Sequence, residues 1–117
     1  MRIRNLVALA FLILGCNLVF AKPNCPNVIN IQNAHFGIIP NSRYYFAKPD
    51  VEKFGTERNW VYYMYIPAKS LDEAEAKLKT SLKSLRLTRG PYWDLLGFCW
   101  NCEYATDENF YSEAHTI

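Results

Sequence analysis

The sequence is poor in the residues that most often carry chemistry. It has two histidines, His35 and His115, and neither stands at a spacing from a cysteine, carboxylate or serine that builds a metal site or a nucleophile–base pair. G-x-S-x-G, H-E-x-x-H and a phosphate-cradling glycine loop are all missing. Adjacent carboxylates occur as Asp72-Glu73 and Asp107-Glu108, which read as helix-start charge and tail solvation. No catalytic residue, cofactor or metal is therefore assigned, and a protein that is not an enzyme is expected. The chain also lacks internal repeats, low-complexity linkers and an unbroken run of the ~20 apolar residues that crosses a bilayer. It lacks a basic surplus where one would matter. Of 13 Lys and Arg against 11 Asp and Glu, Arg2 and Arg4 account for the whole excess, so the chain after residue 21 is balanced. Nucleic-acid binding, which needs a basic footprint, is not expected.

What the first residues do have is the grammar of export. Met1 to Asn5 carries two arginines, residues 6–15 (LVALAFLILG) are uniformly apolar, and Val19-Phe20-Ala21 offers small or compact residues before a cut at Lys22. A signal peptide over 1–21, cleaved between Ala21 and Lys22, and a single domain over 22–117 in the periplasm follow. Two alternatives deliver the domain to the same side of the membrane. One is a lipoprotein acylated at Cys16, disfavoured by the apolar Leu18-Val19-Phe20 behind it; the other is an uncleaved N-terminal anchor.

Export permits disulfides, and Cys25, Cys99 and Cys102 are the candidates. Three is odd, which leaves one thiol over. Cys99 and Cys102 have the C-x-x-C spacing of a dithiol redox site, but a thioredoxin-like motif opens a long helix early in its fold, and this pair comes 15 residues before the last. Glu103 follows where haem attachment needs His, and zinc would need a fourth ligand from His35 or His115. In a strand over 95–105, Cys99 and Cys102 point to opposite faces, so a bond from Cys25 to one of them is the structural alternative. Closing that loop stabilises by about 4 kcal/mol in the chain-entropy model.

Periodicity supplies the architecture. Residues 43–48 (RYYFAK) and 59–66 (NWVYYMYI) read as strands, the second with Trp60, Tyr62, Met64 and Ile66 on one face and Val61, Tyr63 and Tyr65 on the other. Residues 27–34 fit a short helix or an edge strand, and 50–55 fit one helical turn ending at Gly55. Ser70-Leu71-Asp72-Glu73 is a capping box, and Leu71, Ala74, Leu78, Leu82 and Leu85 make an apolar stripe. Burial of its leucines contributes about 6–12 kcal/mol gross, which demands a sheet to lie on. Lys77, Lys79, Lys83, Arg86 and Arg89 read as that helix's wet face. Gly90-Pro91 breaks the chain before the cysteine strand, and Asp107, Glu108 and Glu113 read as a polar tail. The fold class is α+β, a small antiparallel or mixed sheet with one amphipathic helix packed on it; a right-handed crossover can set the strands flanking the helix side by side and parallel.

The positive signal is aromatic. All three Trp and eight Tyr, with five of seven Phe, lie after residue 21, and a domain this small cannot hide them all. Tyr and Trp are enriched at interfaces, which makes Tyr44, Tyr45, Tyr62, Tyr63, Tyr65, Tyr92 and Trp93 candidates for a contact surface. The leader, the NWVYYMYIP strand, the capped leucine helix and the late GFCWNCEYA segment together resemble the EirA family of small exported proteins associated with type IV secretion in intracellular bacterial pathogens. That resemblance implies a non-enzymatic periplasmic factor needed for secretion-system function and intracellular replication, with envelope or secretion-machinery proteins as partners, and carries no site residues across. The alternatives are a periplasmic protein that binds a small aromatic or haem-like ligand, and a C-x-x-C redox protein. Association with the membrane and homodimerisation through the spare thiol both stay open.

Overall fold

Eight residues alternating between buried and half-exposed, Trp60–Pro67, form the strand around which the rest is arranged. The computed structural model describes residues 21–117, so the leader expected over 1–21 lies outside the described residues except for Ala21, which is exposed, as is Lys22. The elements in chain order are α1 (Val28–Gln32), β1 (Phe36–Asn41), β2 (Tyr44–Pro49), β3 (Trp60–Pro67), α2 (Leu71–Lys83), β4 (Arg86–Asp94), β5 (Cys99–Ala105) and β6 (Ser112–Thr116). They make one six-stranded sheet in the order β1-β2-β3-β6-β5-β4, antiparallel at every pairing, with α2 packed on one face. The α+β class holds, and the sheet is antiparallel rather than mixed.

Two placements differ from expectation. The strands flanking α2 are not parallel neighbours: β6 and β5 intervene between β3 and β4. Of the residues read as a polar tail, Asp107 and Glu108 lie in the turn after β5, and Glu113 belongs to β6, which pairs on both sides near the middle of the sheet. Its inward residues Ser112, Ala114 and Thr116 are small because the facing side chains, Tyr62, Tyr104 and Trp60, are large. Gly90-Pro91, joined by a cis peptide bond, sits inside β4 at a register irregularity instead of breaking the chain. Gly90 has φ 115°, and a β-carbon there would come within 2.6 Å of the Asn101 carbonyl oxygen, so the close passage of β4 over β5 requires glycine. Residues 50–55 form no helical turn; Glu52 instead bridges Trp60 across a loop that turns at Phe54 and Gly55.

The helix forms as its capping box dictates. Ser70 Oγ accepts from the Glu73 N–H at 3.2 Å, while the Glu73 carboxylate accepts from the Lys69 N–H at 3.0 Å, one residue before the cap, and pairs with Lys77 at 3.1 Å. Those donors and the Lys77 charge hold the Glu73 carboxyl below its usual range. Ala74, Leu78 and Ser81 are buried against the sheet, whereas Leu71 is half-exposed, so the apolar stripe is shorter than its leucine count implies. Arg86 and Arg89 belong to β4, not to the helix, and pair with Asp107 and Glu103.

Since α2 rests on β1, β2 and β3, the other half of that face needs separate cover. The N-terminal segment provides it. Cys25 is bonded to Cys102, the Tyr104 hydroxyl donates to the Pro26 carbonyl at 2.7 Å, the Asn27 N–H donates to the Phe54 carbonyl at 3.0 Å, and Ile31 of α1 is fully buried. The core between these covers and the sheet is built on Trp60, Tyr62, Met64, Ile66, Ala47, Cys102 and Ala114.

Candidate functional site

With both covers on one side, the opposite side of the sheet is open. Register decides what it displays. Phe46 opposes Tyr65, Tyr63 opposes Glu113, Val61 and Asn101 flank His115, and Glu103 opposes both Glu113 and Arg89. Because cross-strand partners share a face, a patch of rings crosses β2 and β3 and ends on a carboxylate in β6.

The rings touch one another. Phe46 stacks on Tyr63 with centroids 5.1 Å apart and meets Tyr65 edge-on at 5.0 Å; Tyr44 meets Tyr65 at 6.3 Å. Tyr111, from the loop before β6, closes the patch against Tyr63 and Tyr65 at 6.1 and 6.0 Å, and His115 borders Tyr63 at 6.2 Å. Hydroxyls of Tyr63 and Tyr111 both donate to the Glu113 carboxylate, one to each oxygen. Burial, then the hydrogen bond and charge of Glu113, raise the Tyr63 phenol far above its ordinary value, and the same causes push Tyr111 up to about 12. Beside Tyr111, a cleft of about 440 Å³ opens between Tyr44, Tyr65, Pro67, Asn109 and Phe110.

A second grouping on the same face shows what it can hold. The Arg89 guanidinium lies 4.1 Å above the Tyr92 ring and pairs with Glu103 at 3.1 Å. Ring face and carboxylate thus share one cation. Glu113 has the rings and the carboxylate but, among the described residues, no ion pair.

The candidate residues therefore divide. Tyr44, Tyr63, Tyr65 and Tyr92 lie on the open face. Tyr62 does not: it is fully buried beneath the helix side, its hydroxyl 2.5 Å from Ser112 Oγ, and burial raises its pKa well above the phenol value. Tyr45 faces the same side and is half-buried, and Trp93 packs edge-on against Trp100 at 5.5 Å on that side as well. Phe46, Tyr111 and Glu113 belong to the patch and were not singled out from the sequence. Alternation within residues 43–48 carries the signal for Phe46; nothing local marks Tyr111, which the loop before β6 delivers, or Glu113, which β6 sets opposite Tyr63.

The cysteines divide too. Cys102 faces the covered side and is joined to Cys25 with Cα atoms 5.9 Å apart, while Cys99 faces the open side as a free thiol beside Asp94. Strand alternation keeps the two members of the C-x-x-C apart. Burial first, and then the charges of Asp94 and Glu113, push the Cys99 thiol up, opposite to the shift that activates a nucleophilic cysteine. Among the described residues no three His, Cys, Asp or Glu side chains converge as metal ligands. In comparisons with known proteins the chain matches no family model, no curated protein and no solved structure.

Proposed function

We propose that this chain is a non-enzymatic interaction module of the bacterial periplasm, whose partner docks a cationic side chain on the tyrosine patch. The supporting observation is Glu113, a carboxylate held by two phenols among five rings with no cation paired to it among the described residues, next to a built example of the same chemistry in Arg89, Tyr92 and Glu103. A guanidinium suits the place, because it stacks on an aromatic face while its N–H groups reach a carboxylate. The partner is an envelope protein presenting such an arginine, and this chain acts, in keeping with the family its sequence resembles, as an accessory to a type IV secretion system.

The test places a photoreactive amino acid at Tyr65 in the patch and, separately, at Lys79 on the far side, in the bacterium that exports the protein. Adducts to one envelope protein from position 65 and not from 79, abolished by Glu113→Gln, support the reading. Adducts that persist in Glu113→Gln, or that form equally from both positions, overturn it.

The apolar cleft at Tyr44, Tyr65 and Phe110 favours one other reading, a flat aromatic ligand held between rings. Thermal stabilisation by an aromatic metabolite or haem panel, lost in Tyr44→Ala, distinguishes it from protein docking.

A further inference from the structure

A different region of the molecule carries a feature that the tyrosine patch does not explain. The turn between β4 and β5 places Leu95, Leu96 and Phe98 in solvent at 73%, 95% and 77% exposure. Three large apolar side chains on one four-residue tip are more than the scattered exposure usual on a surface. The tip's one acidic neighbour is turned inward: Asp94 Oδ1 accepts from the Leu96 and Gly97 N–H groups at 2.9 and 3.3 Å, and Oδ2 accepts from Asn101 Nδ2 at 3.3 Å. Two backbone amides of the tip are thereby satisfied without water, which lowers the cost of moving it into an apolar medium. Directly behind it stands the Trp93–Trp100 pair, the residue type that settles at membrane interfaces.

The sheet register says which surface this tip faces. Trp60 opposes Thr116, the Trp100 N–H donates to Thr116 Oγ1 at 3.0 Å, and Trp93 opposes Trp100, so these four residues form a row across β3, β6, β5 and β4 at one end of the sheet. Beyond the row on the β4–β5 side is the apolar tip. Beyond it on the β3 side is the loop 55–58, and Ala21 to Asn24 line a depression together with that loop. The chain therefore enters the domain at the same pole from which the tip projects, about three strand spacings or ~14 Å away. What precedes the entry in sequence is the ten-residue apolar run 6–15, and Lys22 stands at the junction.

We propose that this pole is a membrane-contacting surface, with Leu95, Leu96 and Phe98 inserted among the lipids of the bilayer that the N-terminal apolar run enters. The tip alone is a weak, reversible anchor, and it orients the sheet so that the tyrosine patch on its open face stands across the membrane plane.

The protein, with its N-terminus read by mass spectrometry, is mixed with vesicles of phosphatidylethanolamine and phosphatidylglycerol. An environment-sensitive dye is attached at Leu96→Cys in a background of Cys16→Ser and Cys99→Ser, with Glu75→Cys on the helix as the control. A blue shift and quenching by acyl-chain nitroxides at position 96 but not at 75 is the expected result, whether or not the leader is retained. Leu96→Ser combined with Phe98→Ser lowers vesicle partitioning of the chain without its leader at least about tenfold, the effect of removing one large apolar side chain from an apolar medium. A dye at 96 that stays in water at saturating lipid overturns the proposal. Unchanged partitioning of the double variant overturns it as well, and neither result touches the docking of a partner on the tyrosine patch.

Discussion

Glu113 accepts hydrogen bonds from two phenols, and this arrangement has a titration signature. Tyr63 and Tyr111 are raised by burial and by that carboxylate, and Tyr62 and Tyr104 by burial, all above the phenol value of 10.0. A raised phenol contributes stability that is complete below pH 10 and is lost as pH climbs through the folded-state value, because above pH 10 the unfolded chain releases protons that the folded chain retains. The expected outcome is a denaturant midpoint that does not respond to these groups below pH 10 and falls steeply above it, followed by chemical denaturation across pH. In Glu113→Gln the phenolate absorbance of Tyr111 appears closer to pH 10, since the negative charge that helps to raise it is gone while its burial remains. Residue orientation was legible where alternation is unbroken: the two faces of residues 60–66 read correctly from the sequence. It is illegible for Tyr111, which lies in a loop, and composition alone does not separate Tyr62, whose strand face is the buried one, from the exposed tyrosines. Tyrosine tolerates either place, because a hydroxyl can be satisfied inside by a partner such as Ser112.

At the level of elements, the capped helix and the central strand were read from local rules, and each carries a prediction. Ser70→Ala removes the acceptor for the Glu73 N–H and costs about 1 kcal/mol, read as a shift in denaturant midpoint without a change in slope. Gly90→Ala costs more than a surface substitution, since its β-carbon meets the backbone of Asn101 and Cys102 at a positive φ; a lowered melting temperature checks it. The bond between Cys25 and Cys102 spans 77 residues, and replacing both by Ala removes about 4 kcal/mol, a large share of the stability of so small a domain. Cys99→Ser leaves the melting temperature unchanged. Strand β6 escaped detection for a physical reason. Bulky Tyr62, Tyr104 and Trp60 fill the space in front of it, which leaves room only for Ser112, Ala114 and Thr116, so a strand at the heart of the sheet carries almost no hydrophobic pattern. The N-terminal cover was half legible: three cysteines implied a tie to the last segments of the chain, but choosing Cys102 over Cys99 needed the register that only a folded sheet supplies.

The molecule as a whole has its last strand in the middle of its sheet. Until β6 pairs with β3 and β5, the sheet is two separate pieces, β1-β2-β3 and β4-β5, each with an unpaired edge where the other should join. A chain delivered from its N-terminus, whether by a ribosome or through a translocation pore, therefore cannot close this sheet until β6, Ser112–Thr116, has emerged. The cysteine partner of residue 25 is likewise held back until position 102. Topology thus sets an order of assembly: the hairpins β1-β2-β3 and β4-β5 can form first, and the strand made last in synthesis is the one that welds them together.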